Sequence, residues 1–171
     1  MIELRRLSPE DGVDVYDMLQ EIPGEENGFM NKGHGISFDE YKAWLKALDE
    51  ESLRQGIVDG WKVPSTTFWL YADGKPVGYG KVRHFLTDAL RKAGGNIGYV
   101  IRPGFRGMGY GKELLRLLLK KARETGMDKA LLTIRKDNAA SLAVARANGG
   151  VVTGETEERY LVWVETGEDK E

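Results

Sequence analysis

The feature that most restricts what this chain can fold into is the run Arg106-Gly107-Met108-Gly109-Tyr110-Gly111. It lies between an apolar stretch, Ile97 to Arg102, and a leucine-rich stretch that starts at Gly111. Glycine costs a helix about 1 kcal/mol relative to alanine, so alternating glycines at a helix start need a reason other than helix stability. Strand, glycine turn and helix together supply one. The first N–H groups of a helix have no intrahelical partner, they converge on one point, and the helix dipole adds positive potential. With no Cβ in the way, those groups can approach a diphosphate closely.

Spacing narrows the kind of diphosphate. A Walker A loop ending at Gly111-Lys112 needs glycine at position 106 and Ser or Thr at 113, and the chain has Arg106 and Glu113. A dinucleotide fingerprint beginning at Gly107 needs glycine at 112, where Lys112 stands, and no acid closes the stretch Ala130 to Ile134. The nucleotide-dependent oxidoreductase reading rests only on the order strand, glycine turn, helix.

The rest of the chain reads as alternating elements. Ile2 to Arg6 is a strand; Ser8-Pro9-Glu10-Asp11 offers an N-cap, a proline at N1 and early acids for a helix through about Gln20. Glu21 to Ile36 reads as an irregular acidic loop, and Phe38, Tyr41, Trp44, Leu45 and Leu48 recur at helical spacing. Glycine and proline punctuate Gly56 to Ser65. Thr66 to Tyr71 and Val77 to Phe85 then read as a hairpin turned at Asp73-Gly74-Lys75, followed by a polar connection from Thr87 to Gly95. Leu114, Leu115, Leu118, Leu119 and Ala122 fall on one helical face, opposite Glu113, Arg116, Lys120 and Arg123. Ala130 to Ile134 is a strand, Asp137-Asn138 caps an alanine-rich helix stopped by Asn148-Gly149-Gly150, and Val151 to Gly154 with Tyr160 to Val164 are closing strands.

Composition removes several function classes. The 25 Lys and Arg against 27 Asp and Glu leave no basic field for nucleic acid. The absence of cysteine excludes disulfides, thiolate metal sites and a cysteine acyl-enzyme, and no metal site is indicated. The N-terminal stretch MIELRRLSPEDG has no apolar run of signal-peptide length and no run of about 18 apolar residues marks a membrane span, so a soluble cytoplasmic protein is expected. The length suits a single domain over 1–166, with 167–171 as a flexible tail.

Arg106, Gly109 and Gly111 in an Arg-x-x-Gly-x-Gly pattern, Ile97-Gly98-Tyr99-Val100-Ile101-Arg102-Pro103 before it and Asn138-Ala139-Ala140-Ser141 after it resemble the GCN5-related N-acetyltransferase superfamily. The resemblance spans roughly Trp69 to Val164. Arg83-His84-Phe85-Leu86, Gly94 to Tyr99 and Asn148-Gly149-Gly150 are similar to a little-characterised bacterial branch of predicted acetyltransferases. It implies an α/β fold with a mixed, mostly antiparallel central sheet, splayed central strands and about four flanking helices. It further implies acetyl-CoA as co-substrate: backbone groups of Tyr99, Val100 and Ile101 pair with the pantetheine arm, and the segment Gly107, Met108, Gly109, Tyr110, Gly111, Lys112 holds the pyrophosphate. Arg106 then points at phosphate or makes a loop ion pair, and Asn138 contacts the cofactor or caps its helix, roles that are compatible. A homodimer is compatible with the superfamily.

The expected reaction is direct attack of an amine on the thioester in a ternary complex. It asks for a base and for donors to the carbonyl oxygen, the latter read as a strand N–H at Val100 or Ile101. Two bases are considered. His84 lies at a strand end and titrates in a useful range. Glu26 sits in the acidic loop joining the first helices; the same acids suit a cationic amine acceptor. Trp44, Trp61 and Trp69 are weighed as pocket residues against a place in the core. Ala145 stands where many family members place a tyrosine acid, which raises the alternative of a non-catalytic acyl-CoA-binding regulatory module.

Overall fold

The computed structural model describes residues 1–53 and 63–167. Trp61 and the tail residues 168–171 lie outside them. No helix among the described residues is long and apolar enough to cross a membrane.

Strand β1 (Ile2–Arg6) leads to helix α1 (Val13–Glu21). The helix starts at Val13 instead of directly after Ser8, with Gly12 as a cap that contributes no side-chain bond. The expected cap residues form a turn, because Asp11 is engaged elsewhere: its carboxylate accepts from the Ser8 N–H and from Trp69 Nε1, each at 2.8 Å. Helix α2 (Phe38–Ser52) opens on a capping box, Ser37 Oγ accepting from the Glu40 N–H and Glu40 accepting in return from the Ser37 N–H. Between the helices, the segment read as irregular holds a small hairpin, β2 (Glu25–Glu26) and β3 (Phe29–Met30). Its turn residues Asn27 and Gly28 both have positive φ. Buried Asn31 ties it to α1, donating to the Leu19 and Ile22 carbonyls at 2.9 Å each.

Strands β4 (Ser65–Ala72) and β5 (Lys75–Arg83) form the expected hairpin. The connection that follows contains the short helix α3 (Asp88–Lys92), capped by Thr87, and β6 (Ile97–Ile101) then pairs with β5. After a 3-10 turn at Pro103–Phe105 come α4 (Tyr110–Glu124), β7 (Lys129–Arg135), α5 (Ala139–Ala147), β8 (Val151–Glu155) and β9 (Arg159–Glu165). Beside the β2–β3 pair, the ladders among the described residues make two antiparallel sheets, β1-β4-β5-β6 and β7-β9-β8.

Apolar side chains fill both faces of the larger sheet. Tyr41 and Leu45 of α2 with Met18 and Leu19 of α1 cover one face, over Trp69, Tyr71, Tyr79 and Val100. Leu114, Leu115, Leu118 and Leu119 of α4 cover the other, over Phe68, Leu70 and Val82. Trp69 is therefore core, the alternative weighed against a pocket role. Each fully buried leucine is worth about 1.5–3 kcal/mol. Gly80 lets α4 settle onto the sheet, since a Cβ there would stand 2.6 Å from Leu118 Cδ1.

Among the described residues the two sheets share no ladder. Asn96, just before β6, clasps them at one end: its N–H donates to the Leu131 carbonyl (2.7 Å) and its Oδ1 accepts from the Leu131 N–H (2.9 Å). Beyond the clasp β6 and β7 are splayed.

Candidate active site

The splay opens into a cleft of ≈ 440 Å³ lined by β6, the glycine turn, the start of α4, β7, the start of α5 and the β2–β3 hairpin. The register of β6 determines what its edge presents. Arg83 N–H donates to the Asn96 carbonyl (2.6 Å) and Arg102 N–H to the Val77 carbonyl (2.8 Å). In an antiparallel ladder bonding alternates along the strand, so Gly98 and Val100 also turn their backbone groups toward β5. Ile97, Tyr99 and Ile101 turn theirs to the unpaired edge in the cleft. Of the two strand N–H groups read as oxyanion donors, Ile101 thus lies on the open edge, whereas Val100 is committed to the ladder.

At the far end of β6 the chain enters the glycine turn. Gly107 (φ 78) and Gly109 (φ 85) are left-handed, and a Cβ added at either would meet nothing within 4 Å. Backbone conformation requires these two glycines, and the space beside them is open. At Gly111 a Cβ would make only ordinary contacts, the nearest with Val144 Cγ2 at 3.5 Å. Gly109 caps α4 without a side-chain bond, which leaves the N–H groups of the first turn, Tyr110 to Lys112, directed outward. Met108 is exposed and does not line the cleft, and Tyr110 rests on Phe105. Lys112 lines the cleft and makes no ion pair among the described residues.

Arg106 and Glu26, two separate candidates in the sequence, are each other's partners. Arg106 Nη1 and Nη2 reach the two Glu26 oxygens at 3.1 and 2.5 Å, while its Nε donates to the Ile101 carbonyl at 2.9 Å. This fork fixes the hairpin against the glycine turn and occupies the carboxylate read as a base. Glu21, the last residue of α1, is paired with Arg102. His84 lies off the cleft, its Nε2 bonded to Thr66 Oγ1 at 2.8 Å and its imidazole pKa lowered by burial.

Asn138 lines the cleft and also caps α5, its Oδ1 accepting from the Ser141 N–H at 3.2 Å. Ser141 Oγ in turn meets the Tyr99 hydroxyl at 3.1 Å, a pair at the cleft wall that sequence reasoning did not single out. Burial pushes the Tyr99 phenol pKa up, and its bond to Ser141 opposes that. Ala145 is fully buried in the core behind α4. The clasp end of the cleft holds residues also missed: Lys81, Arg83, Gly94 and Thr133.

A family model described as the acetyltransferase (GNAT) family matches residues 33–149. A mycothiol acetyltransferase of Saccharomonospora viridis is 27% identical over 145 residues, which cover 81% of this chain and 46% of that protein. The chain thus spans about half the length of that curated relative. Among solved structures, Campylobacter jejuni N-acetyltransferase PseH in complex with acetyl coenzyme A superposes with a TM-score of 0.67 at 17% identity, covering 98% of this chain and 100% of that one. The acetyltransferase yncA of Salmonella typhimurium with acetyl-CoA, described as putative, gives 0.65 at 17% identity, covering 100% and 97%. By its matched family model, its splayed two-sheet architecture and its glycine turn, the chain belongs to the acetyltransferase (GNAT) family.

Proposed function

We propose that this protein moves an acetyl group from acetyl-CoA to the nitrogen of an amine by direct transfer. The observation that carries the reading is the continuity of two open backbone surfaces, the outer edge of β6 at Tyr99 and the Ile101 N–H, whose carbonyl is taken by Arg106, and the uncapped first turn of α4. The residues present fit the co-substrate: an extended amide-bearing arm needs an open strand edge, and a diphosphate needs convergent N–H groups with room beside them. The open space at Gly107 and Gly109, with Lys112 nearby and without an ion pair among the described residues, supplies the second. Bound acetyl-CoA contributes the acetyl group as an activated thioester.

The protein's residues would divide the remaining tasks. Tyr99 holds the arm through its outward backbone groups, and the Ile101 N–H is a donor for a developing oxyanion. Gly107 to Lys112 hold the phosphates, and Arg106, locked by Glu26, sets the turn against the hairpin. Asn138 keeps the start of α5 in register with that wall. Neither His84 nor Glu26 stands free in the cleft, so the acceptor's proton leaves to water through the open mouth. The Tyr99–Ser141 hydroxyl pair is the protic group at the wall. A thiolate with an ordinary pKa near 8.5 asks little of it. With no cysteine in the chain, no cysteine acyl intermediate intervenes.

The test is calorimetric titration with acetyl-CoA, with NADPH and ATP as controls, followed by thiol release over a panel of amines. Acetyl-CoA binding with thiol release from one amine class is the expected result. Binding with no release from any amine favours a regulatory acyl-CoA-binding module, and absence of acetyl-CoA binding overturns the proposal.

A further inference from the structure

The cleft carries a charge balance opposite to the one the acidic loop suggests. Its lining includes Lys81, Arg83, Arg106, Lys112, Arg135 and Arg159, against Glu26 as the acid. Two of these cations are neutralised locally, Arg106 by Glu26 and Arg135 by Asp137. Lys112 belongs to the glycine turn. Lys81 and Arg83 lie at the other end, since Lys81 pairs with Gly98 across the ladder and Arg83 bonds to Asn96 at the clasp. The length of β6 separates them from the turn, on the order of 15 Å.

Both side chains project from the same face of β5, two residues apart. Lys81 lies over the Phe29 ring with Nζ 4.9 Å from its centroid and makes no hydrogen bond or ion pair among the described residues. Arg83 spends Nη1 on the carbonyls of Gly94 (3.0 Å) and Gly95 (3.3 Å), while its Nε and Nη2 have no partner among the described residues. Burial lowers the pKa of both, that of Lys81 to about 8. The charges that reach Lys81 are Glu51 of α2, which favours its ammonium form, and Arg83 and Lys32, which oppose it. A guanidinium does not shed its proton to escape burial, and desolvated charge persists only where opposite charge meets it. Glu51 favours the charged form of Arg83 as well but does not line the cleft, so among the described residues the lining at this end carries two cations and no acid.

We infer that the acceptor is an amine that also carries an anionic group, a carboxylate or its equivalent, held by Arg83 and Lys81 at the clasp end of the cleft. The inference rests on the acetyl-transfer reading above and replaces the cationic acceptor expected from the loop acids, because Glu26 and Glu21 are engaged by Arg106 and Arg102. A polyamine would add positive charge beside two cations. An amino acid brings the missing carboxylate, and its own ammonium, set among cations, loses its proton more readily. Nucleophilic amine is then produced without a dedicated base. Its nitrogen bonds to the acetyl carbon, the carbon–sulfur bond breaks, the proton lost from nitrogen passes to water, and CoA leaves as a thiolate that takes a proton from water to become the free thiol.

The experiment measures thiol release at saturating acetyl-CoA with pairs that share an amine and differ in the acid: 4-aminobutyrate with 4-aminobutyramide, β-alanine with β-alaninamide, glutamate with glutamine, and putrescine and spermidine as cations. The expected result is kcat/KM at least about tenfold higher for the acid of one or more pairs. Arg83→Gln should raise the KM of that acid by about tenfold or more while the acetyl-CoA titration is unchanged. Arg83 also anchors Gly94 and Gly95, so Lys81→Met, which removes no hydrogen bond, provides a second variant with the same expected direction. Equal or faster release from the amides, preference for putrescine or spermidine, or no release from any acid overturns the inference. Release from diamines with normal acetyl-CoA binding leaves acetyl transfer intact, whereas loss of acetyl-CoA binding by the unaltered protein removes acetyl transfer itself.

Discussion

Gly109→Ala separates the architectural from the binding role of the glycine turn. Gly109 has φ 85 and ψ 1, and an added Cβ meets no atom within 4 Å. The fold therefore bears only the left-handed backbone cost, about 1–2 kcal/mol for a non-glycine residue. For a chain of this size that corresponds to a fall in Tm of about 2–8 °C. Binding should fall further, because the methyl group enters the open space where a diphosphate would rest. Loss of one charge-assisted hydrogen bond, about 1.5–3 kcal/mol, weakens acetyl-CoA roughly ten- to a hundredfold. A matched control lies at the other end of α4: Gly126 has φ 94 and the same empty surroundings. Gly126→Ala should lose comparable thermal stability and bind acetyl-CoA normally. Thermal denaturation and calorimetry on both variants read the two quantities separately. Equal acetyl-CoA affinity in Gly109→Ala and Gly126→Ala would refute the assignment of the phosphates to this turn.

Three further outcomes follow from particular contacts. Gly95→Ala places a Cβ 2.3 Å from the Leu131 carbonyl oxygen at φ +61, so it should break the Asn96 clasp and cost about 3 kcal/mol in urea denaturation, from the backbone and the lost bonds; a loss under about 1 kcal/mol would contradict the clasp. Ala145→Tyr, which restores the residue many family members carry, meets a fully buried position in the core. It should lower stability by about 1–3 kcal/mol or more without raising thiol release, and faster release would overturn that reading. For Lys81, burial lowers the pKa from 10.5 to about 8. Below that value both folded and unfolded chains hold the proton and only the folded one bears the desolvation. Between about 8 and 10.5 the unfolded chain binds more protons, so this group's contribution to stability rises with pH. Lys81→Met should therefore stabilise the protein below about pH 8, with the advantage disappearing toward pH 10.5; a pH-independent difference in denaturation midpoint would contradict it.

The elements legible in the sequence are those with a period or a punctuating residue. The leucines of α4 and the Asp73-Gly74 hairpin emerged close to their observed limits because local chemistry decides them. The hairpin β2–β3 has strands of 2 residues each and carries no period to detect. The early cap at Ser8 failed because Asp11 is committed to Trp69, 58 residues away. Arg106 and Glu26 were both recognised, but their mutual fork joins residues 80 apart, which no local pattern encodes. Lys81-Val82-Arg83 reads as an ordinary half-exposed strand. Only when β3 lays Phe29 across that face does its charge become part of the cleft. Which backbone groups of β6 are open depends on ladder parity, a property of the paired strand rather than of any residue in it.

The clasp at Asn96 makes the molecule an unfinished sheet, two panels joined at one corner and open beyond it. A ligand arm lying along β6 would act as the absent strand, and its binding free energy would then be shared by both panels as folding stability. The seam should be where amide hydrogens exchange first in the free protein, outward-facing Tyr99 and Ile101 ahead of ladder-bound Gly98 and Val100. On binding, protection at those two positions should rise together with protection along β7, on the opposite lip of the seam.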